Sequence, residues 1–212
     1  MQRRGFLVLG AFGLLGSALS FANKAPSMFG ERELARARDK YGELAVRRLR
    51  AWQVLVDENL SRPERLKLTL VNDFFAQVTL SDSKTVWGLD NYWATPAEFL
   101  VKDAGSAVDF VTAKYFTLVA LGVAESKLYF TYVTSSRLRR PHVVLTYFRS
   151  ARSEPLILDS LTDRILPASE RADLQPIYSF NAQGAREGER MQAAALDSWN
   201  QMLNRMRNGV IN

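Results

Sequence analysis

The chain has 212 residues, 47% hydrophobic and 24% charged, which suffices for one ordinary globular domain with a real core and calls for no second. It contains no cysteine, which excludes disulfides, thiolate metal sites and cysteine nucleophiles in any compartment. The net charge of +6 becomes +4, 26 basic against 22 acidic residues, once Arg3 and Arg4 are set aside. So mild an excess, spread along helices, fits a solvated surface and not a nucleic-acid site.

Met1 to Ala22 reads as a secretory signal peptide. Arg3-Arg4 precedes an apolar run from Gly5 to Leu19, and Ser20-Phe21-Ala22 puts small residues at both cleavage-determining positions. The run is too short and glycine-rich for a transmembrane span. Arg3-Arg4-Gly5-Phe6-Leu7 also fits the core of a twin-arginine signal, with Gln2 where Ser or Thr is usual. The expectation is a signal peptide over 1–22 and a single domain over 23–212, with an uncleaved N-terminal anchor as the alternative.

From Glu31 to Asn59, Leu34, Tyr41, Leu44, Ala45, Leu49, Trp52, Leu55 and Val56 fall near helical intervals, predicting one long helix or two abutting ones. The arginines of 32–50 read as a wet face, with contact to an anionic partner as the alternative. Pro63 suits a first helical turn, and Leu66, Leu70, Phe74 and Phe75 continue an apolar stripe to about Val78. By phase Asn72 and Asp73 are exposed and need no special role. Residues 87–96, WGLDNYWATP, form an aromatic loop whose rings can line a groove or plug the core beneath it. Thr95 before Pro96 and Glu98 caps a short helix through Val101.

Ala104 to Leu118, AGSAVDFVTAKYFTL, is a glycine-led turn running into an amphipathic helix. Phe110, Ala113, Phe116 and Thr117 share one face while Lys114 points away. Ser106, with Asp109 three residues on, caps its N-terminus, and Gly122 ends it. Strands are predicted over 127–134, 142–148 and 156–160 as an antiparallel meander, with Arg137 to Pro141 a basic turn. Residues 167–181 read as an ordered loop ending in a short strand, IYSF, and 187–207 as a closing helix carrying Met191, Ala194, Ala195, Trp199, Met202 and Met206. By itself His142 reads as a strand-end histidine, and Asp159 as a carboxylate capping the following turn.

The blocks WGLDNYWATPAEFL, GSAVDFVTAKYFTL, LGV, PHVVLTYF, PLILDSL and PASERADLQPIYSFN, in this order and spacing, resemble the bacterial transglutaminase-like cysteine proteinase family over roughly residues 30–205. The resemblance implies an α+β, papain-like or transglutaminase-like fold with helices packed on an antiparallel sheet. It places the catalytic base at His142, its acidic orienter at Asp159 and the nucleophile at residue 107. Family members open this helix Gly-Asp-Cys-Glu-Asp-Phe; here Gly105-Ser106-Ala107-Val108-Asp109-Phe110 departs at three consecutive positions, the nucleophile among them. A methyl group cannot attack a carbonyl, so turnover by the family mechanism is not expected. Ser106 stands one residue early, about 100° round the helix axis, and is a poor substitute.

The family's calcium dependence rests on the acids beside the cysteine. Here Asp109 is a remnant, with Ser106 and Val108 at the lost positions, so no cofactor is expected. The resemblance also sets the aromatic loop beside the cleft, making Trp87, Asp90, Tyr92 and Trp93 groove candidates. It implies as partners the N-terminal region of a large surface adhesin and the periplasmic domain of an inner-membrane cyclic-di-GMP receptor. The functional expectation is a periplasmic homologue of the adhesin-processing endopeptidases of biofilm release, inactive as written and acting by binding or competition. The alternatives are an active peptidase with an unrecognised nucleophile and a structural exported domain.

Overall fold

The computed structural model describes residues 29–182 and 193–211. Residues 1–22, expected to be a signal peptide, and the expected domain start at 23 lie outside the described residues. Among the described residues no helix is long and apolar enough to cross a membrane.

The N-terminal helical stretch is two helices, α1 (Glu31–Tyr41) and α2 (Glu43–Asn59). Between them Gly42 has φ 82°, a left-handed conformation that side chains with a Cβ resist. Leu34, Ala45, Leu49, Trp52 and Val56 are buried as their spacing predicts, whereas Leu44 is exposed. Arg48 is not merely wet, because its guanidinium donates to the Leu100 and Val101 carbonyls at 2.6 and 3.1 Å.

In α3 (Glu64–Phe75) the buried positions are Lys67, Leu68, Val71, Asn72 and Phe75, while Leu66 is exposed. The expected stripe is therefore displaced around the helix, and Asn72, expected in solvent, is fully buried. Its amide explains the shift: it donates to the Asp163 carbonyl at 2.5 Å and accepts from Lys114 Nζ at 2.8 Å, so both ends are satisfied.

A small parallel pair, β1 (Thr79–Leu80) with β2 (Ala104–Gly105), and a short helix α4 (Ser83–Trp87) capped by Asp82 were not legible in the sequence. Helix α5 (Pro96–Lys102) has the predicted cap, Thr95 Oγ1 accepting from Glu98 N and Glu98 accepting from Thr95 N. Helix α6 (Ala107–Ala120) ends before Gly122, at φ 84°. It is not amphipathic as predicted. From Asp109 to Leu118 only Phe116 is partly exposed, because α3 and α5 pack on one side and the sheet on the other.

The main sheet holds β3 (Leu128–Ser135), β4 (Arg140–Tyr147), β5 (Leu156–Leu158), β6 (Leu166–Pro167) and β7 (Leu174–Phe180) in the order β6-β5-β4-β3-β7, all antiparallel. The first four strands form the meander, and β7 returns beside β3. Helix α7 (Ala193–Arg207) closes the core, bringing Trp199 against Trp93, Tyr115 and Phe130. The part of the predicted closing helix before 193, with Met191, lies outside the described residues. Helices packed on an antiparallel sheet give the α+β architecture.

Candidate functional site

Antiparallel pairing puts the start of β4 and the end of β5 at one end of the sheet, and α6 packs on β4 with its N-terminus at that end. His142 and Asp159 therefore meet although 17 residues apart. His142 Nε2 lies 2.6 Å from Asp159 Oδ1. Both are buried, with side-chain exposures of 3% and 0%. A cleft of about 690 Å³ opens beside the ring and is lined by Ser106, Ala107 and Val108 opposite Tyr132, Arg140 and His142. Ala107 and His142 thus face one cavity.

The Asp159 carboxylate is held from several sides. Arg171 Nη2 donates to Asp159 Oδ2 at 2.6 Å, and the Leu161 amide donates to Oδ1 at 3.2 Å. Burial alone would raise the Asp159 pKa, but hydrogen bonds and charge from His142 and Arg171 hold it down to about 2. Arg171, 6% exposed, is itself steadied by Asp173, its Nε lying 2.9 Å from Oδ1, and the Asp173 and Asp159 carboxylates together favour its charged form.

Lys114, expected to point outward, lies 2% exposed beneath the pair. Its Nζ donates to Asn72 Oδ1 at 2.8 Å and to the Asp159 carbonyl at 2.9 Å, tying α6 and α3 to the loop that carries Asp159. Burial lowers its pKa to about 8, against the pull of Asp159. Lys114 follows Ala107 by seven residues, two helical turns, which sets it below the same face. That spacing was visible in the sequence, but nothing local showed that the face was covered.

At the helix start, Ser106 donates to Asp109 Oδ2 from both its amide, at 2.8 Å, and its hydroxyl, at 3.0 Å, while Asp109 Oδ1 accepts from the Ala94 amide at 2.7 Å. Asp109 is wholly buried, and burial pushes its pKa up to about 6 in spite of these donors. The Ser106 hydroxyl is engaged with Asp109 rather than His142, so it is not placed as a substitute nucleophile. Gly105 is required by the same packing: an added Cβ would sit 2.6 Å from Phe99 Cδ2 and 2.9 Å from Asp109 Oδ2. Phe99 is fully buried and has nowhere to move. Gly105→Ala is expected to lower stability by about 1–3 kcal/mol, read as a urea-midpoint shift with an unchanged slope.

The aromatic loop divides between the two roles open to it. Asp90, Tyr92 and Trp93 border the cleft, but Trp93 is 5% exposed and stacks on Phe130, so it also plugs the core. Trp87 stacks on Tyr92 with centroids 4.7 Å apart and does not line the cavity. Tyr92 gives its hydroxyl to Glu98 at 2.9 Å.

A helix N-terminus, an imidazole and a buried carboxylate around one cleft form the frame of a papain-like hydrolase without its thiol. The sequence profile described as "Bacterial transglutaminase-like cysteine proteinase BTLCP" matches residues 53–185, more than half the chain. The chain belongs to this family. Among solved structures, Legionella pneumophila LapG is 39% identical, with a TM-score of 0.71 over 83% of this chain and 96% of that one. Its calcium-bound form is 38% identical, with a TM-score of 0.69 over 82% and 98%. The EGTA-treated form is 37% identical at the same TM-score. No curated protein matches the chain.

A resident calcium does not fit the residues present at the family's metal position. Ser106 and Val108 bring no carboxylate, and both oxygens of Asp109 already accept protein hydrogen bonds. Among the described residues no three His, Cys, Asp or Glu side chains converge on a metal position. The whole sequence holds no cysteine, so the thiol chemistry of a cysteine proteinase has no residue to carry it.

Proposed function

We propose that this chain is a periplasmic, non-cleaving homologue of the adhesin-processing proteases. In this reading the 690 Å³ cleft binds the N-terminal region of a large surface adhesin, or the chain engages the periplasmic domain of a cyclic-di-GMP receptor, in competition with an active protease. One observation carries the reading: His142 and Asp159 remain paired, buried and clamped beside a cleft whose nucleophile position is Ala107. Burying a carboxylate, a guanidinium and an imidazole together is costly unless each is paired, so the cavity keeps a defined polar shape after loss of the thiol. Export through the segment 1–22 belongs to the same proposal.

The test incubates the purified protein with the adhesin N-terminal region and, separately, with the receptor's periplasmic domain. Binding to at least one with a Kd of about 10 µM or tighter, by calorimetry, and no cleavage over a day are expected. Absence of binding to both overturns the proposal, and so does cleavage that disappears in His142→Ala.

A further inference from the structure

The turn joining β3 to β4, residues 136–139, and the first residue of β4 carry Arg137, Arg139 and Arg140, all three exposed. Among the described residues no guanidinium of the three has an ion-pair or hydrogen-bond partner. Asp173, whose carbonyl accepts from the Ser136 amide at 2.9 Å, does not neutralise them, because Arg171 holds its carboxylate at 2.9 and 3.0 Å. Solvated arginines alone are ordinary, but two features set these apart. The first is position: Leu138, Arg140 and Pro141 line the cleft, so the turn forms part of its wall. The second is backbone. Arg139 has φ 53°, a left-handed conformation disfavoured by a Cβ and ordinarily given to glycine or asparagine in hairpin turns. A turn shaped for stability alone would hold glycine there, and an arginine kept at a conformational cost points to use of its charge.

The other fixed charges lining the cleft are Asp82, Lys84 and Asp90, from α4 and its flanks, with one net negative charge. Asp82 is occupied in capping α4, and Lys84 lies 3.9 Å from Asp90. The positive excess therefore sits at the β3–β4 turn. We infer that this turn selects acidic residues, at least two, in a peptide segment flanking the stretch that lies in the cleft. A guanidinium offers paired donors that match a carboxylate, and three on one turn sum to a local field that favours an acidic chain. An anionic membrane would suit the arginines but would meet Asp82 and Asp90 as well, whereas a bound chain can place its acids at the turn alone. The inference rests on the reading of the cleft as a peptide-binding site and adds to it the charge class of the peptide.

The experiment uses two acetylated peptide amides, Gly-Ser-Ala-Ala-Gly-Ser-Glu-Glu and Glu-Glu-Gly-Ser-Ala-Ala-Gly-Ser, each beside its Gln-Gln counterpart. The small residues keep steric demand low, so that charge alone varies. By calorimetry one acidic peptide is expected to bind about tenfold tighter than its counterpart, with the preference fading between about 50 and about 500 mM salt. The variant Arg137→Gln, Arg139→Gln, Arg140→Gln should lose that preference and bind the adhesin N-terminal region about tenfold more weakly. Equal binding of acidic and amide peptides, no binding of any peptide, or adhesin binding unchanged in the triple variant overturns the inference while leaving the proposed function to its own test. Sedimentation with vesicles of phosphatidylglycerol and phosphatidylcholine in equal parts, lost in the triple variant and without a peptide preference, overturns it in favour of a lipid surface.

Arg139→Gly separates charge from fold. Glycine takes the left-handed turn position without strain, so the variant should have a higher urea midpoint and yet bind the acidic peptide about threefold more weakly. A lower midpoint with unchanged affinity would mean that Arg139 serves the turn, and would overturn its part in the selection.

Discussion

The triple variant Ser106→Asp, Ala107→Cys, Val108→Glu is expected to cut the adhesin N-terminal region in a calcium-dependent manner, while the unaltered chain leaves it whole. Loss of a triad nucleophile costs about 10⁶ in kcat in a well-studied serine protease, so recovery should span several orders of magnitude. The expectation rests on what is already in place. Position 107 is the first residue of α6, where the helix dipole stabilises a thiolate, and it faces the cleft that His142 borders. His142 is held by Asp159, which is held in turn by Arg171, so the ring that would serve as base is already fixed at the cleft. Ala107→Cys alone restores the sulfur without the neighbouring carboxylates, and it should remain far below the triple variant.

Calcium dependence separates a rebuilt family site from an adventitious thiol, since chelation should abolish cleavage only in the former. His142→Ala in the triple background must silence it. A folded triple variant that cuts nothing, with or without calcium, would show that the cleft has drifted beyond its chemistry.

The features that set this site were unequally legible in the sequence. His142 and Asp159 were found because the blocks around them resemble a family, not because strand spacing pairs residues 17 apart. The helix start was legible from local chemistry, since Ser106 and Asp109 satisfy each other within one turn. Lys114 and Asn72 were misplaced for a common reason. Periodicity assumes that a polar side chain marks a wet face, whereas here two polar groups from different helices satisfy each other inside the core. Arg171 lay within a block already singled out, but its role depends on a carboxylate 12 residues away across a loop. The β1–β2 pair has two residues in each strand, too few to carry an alternating pattern.

Arg171→Met should cost roughly 3–5 kcal/mol of folding stability, the range for removing one member of a buried pair. Asp159 has no exposed side-chain surface, so without the guanidinium its Oδ2 is left as a buried acceptor with no donor among the described residues. The pH dependence identifies the cause. The Asp159 carboxyl titrates at about 2 instead of 3.8, so its pairing contributes stability that is fully present above pH 3.8 and is lost as pH falls through 2. The contribution is about 2 kcal/mol. With Arg171 removed the carboxyl shifts upward, the folded state takes up a proton more readily, and the deficit relative to the parent should shrink between pH 7 and pH 3.5. Urea unfolding at both pH values measures it. Asp159→Asn in the Arg171→Met background removes the stranded charge and should recover part of the loss, giving a coupling energy of 1 kcal/mol or more in the double-mutant cycle. A deficit under about 1 kcal/mol, or one that is the same at both pH values, would mean that Arg171 packs against the orienter without sustaining its charge.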